Sequence, residues 1–163
     1  MLTIKKKLKE KLKNARRIAV LGIGSEFLKD DRAGLVVAGL LEKKIPRNAL
    51  KRARIFLGGT APENLTGQIR RFKPTHLVII DCADFGGEPG AVGVFEPRQD
   101  EGISFSTHRL PLGVLASYLE KTVPCRTVFV AIQAKRVAFS PKLSACVRRT
   151  AERLAALLAD LLG

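Results

Sequence analysis

The chain has 163 residues, of which 46% are hydrophobic, and a formal net charge of +14. This length and apolar content are sufficient for one folded core and exclude an intrinsically disordered protein. No uncharged segment approaches the roughly 20 residues of a transmembrane helix, and no apolar secretory signal begins the chain. The three cysteines show no CxxC spacing, which favours reduced thiols. We therefore expect a cytoplasmic protein.

Residues 1–17 hold half of the net positive charge, with eight lysine and arginine residues against one glutamate. Ile4, Leu8 and Leu12 recur at helical spacing, which predicts a basic amphipathic helix over residues 1–16. We favour packing of this helix on the rest of the protein, because so short a stripe offers little apolar area for anchoring. The alternatives are an acidic protein partner or peripheral contact with an anionic membrane surface.

Residues 17–163 are predicted to form a single α/β domain, because strand-like apolar runs alternate with helical patterns. In chain order we predict a strand over 18–24, a helix over 32–43, a strand over 53–57, a helix over 62–72, strands over 75–81 and 92–95, a helix over 112–120, a strand over 127–132, and a last helix that starts at Ser140. The predicted fold is a three-layer sandwich. It has a mostly parallel, twisted sheet of about five strands with helices on both faces.

The loop after the first strand ends in Asp30 and Asp31, directly before a helix. A dinucleotide-binding fingerprint fails here, because Phe27 occupies the position of its third glycine. Aspartate at a helix start commonly caps the first backbone N–H groups. We therefore expect one of the two aspartates to be a cap and the other to be available as an oxygen ligand.

The loop after the second strand contains Gly58 and Gly59, followed by Thr60 and Glu63. The threonine and glutamate have the spacing of a capping box. The two glycines also allow another chain to approach the backbone closely, so this loop is a candidate peptide-binding segment.

Asp81 follows the aliphatic third strand and is expected at its end, facing the crevice where ligands bind parallel sheets. His108 precedes a later helix, whereas His76 lies in a strand pattern and is predicted to be structural. Asp31, Asp81 and His108 together supply two carboxylates and one imidazole. Such a set suits zinc, nickel, iron or manganese with open coordination positions.

Motifs in residues 24–34, 58–64, 71–90 and 106–112 resemble, in the same order, those of the hydrogenase maturation endopeptidases. The last of them, Ser-Thr-His-Arg-Leu-Pro-Leu, matches the family's Thr-His-x-x-Pro-Leu element. The resemblance extends from about residue 18 to residue 160 and is strongest to the branch that matures hydrogenase 3.

This resemblance implies a protease that removes the C-terminal extension of a nickel–iron hydrogenase large-subunit precursor after nickel insertion. It implies metal contacts at Asp31, Asp81 and His108, with Asp31 and Asp81 as catalytic candidates. The nickel is expected to be carried by the precursor rather than held by the free protease. In one possible mechanism, the metal polarises the scissile carbonyl or activates a water molecule. In the other, the metal only docks the substrate and a carboxylate activates the water. No motif for a covalent nucleophile is present in the sequence.

The chain departs from the family pattern beside the Asp30–Asp31 pair. Ser25 stands where the family usually has asparagine, and Lys29 and Arg32 stand where it has glycine. The two cations are expected to lower the affinity of the site for a free divalent ion. The competing hypothesis is a basic α/β binding module for nucleic acid or an anionic membrane. Because aromatic residues for base stacking are sparse, we expect no nucleic-acid partner.

Overall fold

The computed structural model describes residues 1–97 and 111–163 in full and residues 104–105 by their backbone. The described strands are β1 Ile18–Ile23, β2 Ala53–Gly59, β3 His76–Asp84, β4 Val92–Phe95, β5 Ser104–Phe105 and β6 Arg126–Gln133. They form one sheet with the order β2–β1–β3–β6–β4, and β5 pairs with the end of β3. The strands β2, β1, β3 and β6 are parallel, whereas β4 is antiparallel to β6. The predicted mostly parallel sheet is confirmed.

Helices cover both faces of this sheet. The described α-helices are α1 Leu2–Lys11, α2 Ala33–Lys44, α3 Thr66–Phe72, α4 Leu112–Thr122 and α5 Ala145–Leu162. Side chains alternate along β3, so Val78 and Ile80 pack with α1, α2 and α5, whereas Leu77 and Ile79 pack with α3 and α4. The predicted three-layer arrangement is therefore confirmed. The central strands are buried on both faces, which explains their nearly continuous apolar sequences.

The N-terminal helix α1 packs on the face that also carries α2 and α5. Leu8 is fully buried, and Ile4 and Leu12 pack against the same core cluster. The predicted apolar stripe thus contacts the protein's own core, and the lysines of the opposite face are exposed. Within the described ranges, none of the helices combines the length and apolarity needed to cross a membrane.

The predicted start of the last helix and the predicted capping box at Thr60 are wrong. The last helix begins at Ala145 with Ser144 as its N-cap residue, not at Ser140. The backbone N–H of Ser140 instead donates to the carbonyl of Phe27 at 2.9 Å, so a distant segment holds Ser140 outside the helix. The capping box predicted at Thr60 does not form. The 3₁₀ turn Pro62–Leu65 follows Ala61 without a side-chain cap.

Candidate active site

The loop from β1 to α2 is held tightly against the carboxyl ends of β1 and β3 by two glycines. Gly24 has a φ of +137°, and a Cβ atom there would lie 1.9 Å from the carbonyl oxygen of Asp31. A Cβ atom on Gly34 would lie 2.1 Å from the carbonyl oxygen of Ile80. These close approaches bring the 3₁₀ turn Lys29–Arg32, which carries both aspartates, against β3.

Asp30 is fully buried and connects this turn to the segment before α5. Its Oδ1 accepts a hydrogen bond from the backbone N–H of Ser144 at 2.7 Å, and its Oδ2 accepts one from the Ser144 hydroxyl at 2.8 Å. Oδ2 also accepts backbone hydrogen bonds from Lys135 and Arg136, at 3.0 and 2.9 Å. The carboxylate therefore lies at the positive end of α5. The expectation that one aspartate caps the adjacent helix is wrong, because neither side chain caps α2.

Asp31 is also fully buried, and it accepts a hydrogen bond from its own loop. Its Oδ2 accepts from the backbone N–H of Ser25 at 2.7 Å. Ser25 makes this contact through its backbone N–H. The contact therefore does not depend on the side chain, which is usually that of asparagine in the family. The Ser25 hydroxyl accepts a hydrogen bond from the backbone N–H of Phe27 at 3.3 Å.

Asp81 lies inside β3 rather than at its end, which corrects the sequence prediction. The strand continues to Asp84, and Asp81 pairs with Ala131 of β6. The side chain is fully buried, and Oδ1 accepts from the backbone N–H of Cys82 at 2.7 Å. The alternation of β3 assigns Asp81 to the same face as Leu77 and Ile79, the face on which α4 packs. The strand extends because its last residues pair with both β6 and β5.

The buried carboxylates act together on the thiol of Cys82. Burial is the main cause that raises the pKa of Cys82, and the negative charges of Asp81, Asp31 and Asp30 raise it further. Asp30, Asp31 and Asp81 therefore all lie close enough to Cys82 to act on its thiol. Because the thiol stays protonated at neutral pH, Cys82 is not suited to act as a nucleophile.

His108 lies outside the described residues. Among the residues that are described, no group of three or more histidine, cysteine, aspartate and glutamate side chains is arranged to hold a metal ion. The donor chemistry of Asp31 and Asp81 nevertheless suits a divalent cation, because two carboxylates supply the negative charge that offsets it.

His76 lies in β3, where the strand pattern placed it. It is 4% exposed at the start of β3, and its Nδ1 lies 3.1 Å from the hydroxyl of Thr75. Burial, and then the positive charge of Arg126, lower its pKa.

Sequence reasoning missed Ser144 as the partner of Asp30 and missed the contact between Phe27 and Phe139, whose rings stack with centroids 6.5 Å apart. The signal for Ser144 was present, because a serine before Ala145 is itself an N-cap candidate. The pairing of residues more than 100 positions apart had no local signal.

Comparison with known proteins identifies the family. The sequence model of the HycI hydrogenase maturation protease family matches residues 36–161. A Methanocaldococcus jannaschii protein with a provisional assignment as a hydrogenase maturation protease is 31% identical over 163 residues, covering 98% of this chain and 96% of that protein. The hydrogenase 3 maturation protease of Escherichia coli K12 is 32% identical over 121 residues, covering 74% of each chain.

A solved structure has the same fold. The crystal structure of the [NiFe] hydrogenase maturation protease HycI from Thermococcus kodakarensis KOD1 superposes with a TM-score of 0.86 at 32% identity. The superposition covers 95% of this chain and 97% of that one. The chain is therefore a protease that belongs to the hydrogenase maturation protease family.

Proposed function

We propose that this protease removes the C-terminal extension from the large-subunit precursor of a nickel–iron hydrogenase after nickel has been inserted. The observation that carries the proposal is the burial of Asp31 and Asp81 at one end of the sheet, in a chain of this family. Carboxylate oxygens are ligands that divalent cations accept. A precursor that carries nickel into the site supplies such a cation.

Asp31, Asp81 and His108 are proposed to contact the nickel of the precursor, which makes the metal part of the substrate. The backbone of Phe105, three residues before His108, pairs with Ala83, two residues after Asp81. This pairing supports a site that combines the histidine segment with the end of β3. Lys29 and Arg32 beside Asp31 lower the affinity for a free dication, so we propose that the protease alone holds nickel weakly.

Asp31 and Asp81 are also the proposed catalytic residues. Each holds one backbone N–H through one carboxylate oxygen, which fixes the orientation of the group. A carboxylate oriented in this way can accept a proton from water as it attacks the scissile carbonyl. Alternatively, the nickel polarises that carbonyl or activates the water, and the carboxylates position the metal.

We propose that residues 1–16 form a helix that packs on the protease domain. That domain, residues 17–163, contains all of the proposed site residues. We propose a cytoplasmic location, because Cys82, Cys125 and Cys146 are thiols rather than halves of disulfides, as is typical of a reducing compartment. The proposed partner is the hydrogenase large-subunit precursor, with no nucleic acid.

The proposal is tested by incubating the purified protein with nickel-loaded and nickel-free precursor and measuring the mass of the large subunit. Only the loaded precursor should lose its C-terminal extension. Equal cleavage of both forms would refute recognition of nickel, and cleavage of neither would refute the proposed substrate. Metal analysis of the purified protease supplies the control, since a tightly held stoichiometric zinc would indicate a conventional metalloprotease.

A further inference from the structure

A groove of about 410 Å³ opens beside the loop that carries Asp31. It lies between this loop, the first turns of α2 and the carboxyl end of β2. Ser25, whose N–H donates to Asp31, lines the groove, so the groove borders the loop that carries Asp31. Because β2 is an edge strand, an extended chain can lie along this side of the sheet without displacing a neighbouring strand.

An exposed aromatic ring lines the groove, and a second one stacks on it. Phe27 lines it and is 64% exposed, and Phe139 is 84% exposed. Their rings are nearly parallel, at an interplanar angle of 9°. Leu57, on the β2 side of the groove, is 52% exposed. Large apolar side chains clustered in water beside a groove are typical of a surface that binds a partner.

Arg32 places a positive charge in the same groove. Its Nη1 donates to the carbonyl of Pro141, and its Nε is buried without a hydrogen-bond partner among the described residues. Within the described ranges, no carboxylate lies within 4 Å of its guanidinium. Glu26 also lines the groove, but it is exposed and forms no ion pair with Arg32. A partly buried guanidinium without a counter-charge favours a bound carboxylate.

We propose that this groove binds the C-terminal extension of the precursor as an extended, apolar segment that carries a carboxylate. Phe27 and Phe139 cover an apolar side chain of the extension, and Arg32 pairs with the carboxylate. The proposal rests on the proposed function and adds to it the residues that select the substrate. Neither Phe27 nor Arg32 belongs to the metal-contacting set, and in this chain Arg32 replaces a glycine of the family pattern.

The carboxylate is either the C-terminal group or an acidic side chain, and peptide binding distinguishes these sources. The probe is a fluorescent synthetic peptide with the extension sequence of the large subunit from the same genome. It is prepared as the free acid, as the C-terminal amide, and with its acidic side chains changed to amides. Wild-type protein should bind the free acid, and the altered peptide that binds about tenfold more weakly than the free acid identifies the carboxylate that Arg32 recognises. Equal affinity for all three forms would overturn the assignment to Arg32.

Variants test the two parts of the groove separately. Phe139→Ser should weaken binding of every peptide about five- to tenfold, whereas Leu2→Ser, at an 87% exposed position on α1, should leave binding unchanged. Arg32→Gln should weaken binding of the charged peptide about tenfold and leave the neutral form unchanged, and Arg32→Lys should recover part of the loss. An equal loss for charged and neutral peptides would mean that Arg32 does not recognise the carboxylate.

Processing of the nickel-loaded precursor separates failure of this inference from failure of the proposed function. Wild-type protein that does not cleave the precursor refutes the proposed function, whatever the variants do. If the wild type cleaves, Phe139→Ser and Arg32→Gln should raise KM about five- to tenfold with kcat nearly unchanged. Unchanged KM in both variants, with thermal unfolding equal to that of the wild type, would overturn the groove assignment and leave the function intact.

Discussion

Asp30 and Asp31 are neighbours in one 3₁₀ turn and are both fully buried, yet they belong to different regions of the protein. The first region is the junction between this turn and the segment before α5, where Asp30 accepts hydrogen bonds from residues more than 100 positions away. The second is the loop at the end of β1, where Asp31 accepts a hydrogen bond from the backbone N–H of Ser25 in its own loop. Burial alone therefore does not define the role of an acid, because the hydrogen bonds that Asp30 accepts join segments that are distant in the sequence.

The largest expected effect is the loss of processing in Asp31→Asn and Asp81→Asn. Both changes keep the shape of the side chain and remove its charge. We expect kcat/KM for nickel-loaded precursor to fall roughly 10²–10⁴-fold, the usual contribution of a general base. Asp84→Asn is the matched control, because Asp84 is an exposed carboxylate at the end of the same strand. A comparable loss in Asp84→Asn would remove the distinction between these positions.

Asp30→Ala should reverse this pattern, with a large effect on stability and a small one on chemistry. It removes a charged acceptor from Ser144, Lys135 and Arg136, and it leaves the two buried donors of Ser144 without a partner. We expect a loss of about 3 kcal/mol in the free energy of unfolding, or about 6–12 °C in Tm for a protein of this size. Below that Tm, the processing rate should fall less than tenfold. Unchanged thermal unfolding, or a loss of activity as large as that of Asp81→Asn, would show that the two regions are not distinct.

Gly34→Ala tests the close packing of α2 against the sheet, which holds the turn that carries Asp30 and Asp31 in place. The added Cβ atom would meet the backbone of Ile80 and Ile23, so we expect a loss of about 1–3 kcal/mol. Gly39→Ala, in the same helix, has no atom within 4 Å of the added Cβ and should gain about 0.5–1 kcal/mol. Urea unfolding of the two variants measures both values. Equal effects would contradict the close packing at Gly34.

The smallest expected effect is a pH dependence from His76 at the opposite end of β3. Burial and Arg126 lower its pKa below the ordinary value of 6.5, so the unfolded protein binds a proton more readily than the folded one. The stabilising effect of the neutral imidazole is complete above pH 6.5 and is lost as the pH falls below that value. Tm measured between pH 7.5 and 5.5 should fall less in His76→Gln than in the wild type. Parallel curves would exclude this contribution.

The parts of the molecule that the sequence predicted are those with local signals. The apolar runs of β1, β3 and β6 predicted the sheet, and they correctly placed Asp31 in the loop that follows the carboxyl end of β1. The roles of Asp30 and Ser144, and the position of Ser140 outside α5, depend on contacts across more than 100 residues, for which a sequence pattern holds no signal. Likewise, β3 extends beyond Asp81 because its neighbours continue the pairing, not because its own residues require it.

The central claim is that Asp31, Asp81 and His108, from three separate segments, contact one metal ion. Anomalous diffraction from crystals soaked in millimolar Ni²⁺ tests this most directly, because it locates the ion and its ligands together. The account predicts one peak at the carboxyl end of the sheet, with an atom of each of the three side chains within about 2.0–2.6 Å. A structure in which the tip of His108 lies more than roughly 10 Å from those of Asp31 and Asp81 would contradict it, since direct ligands of one ion cannot be so far apart.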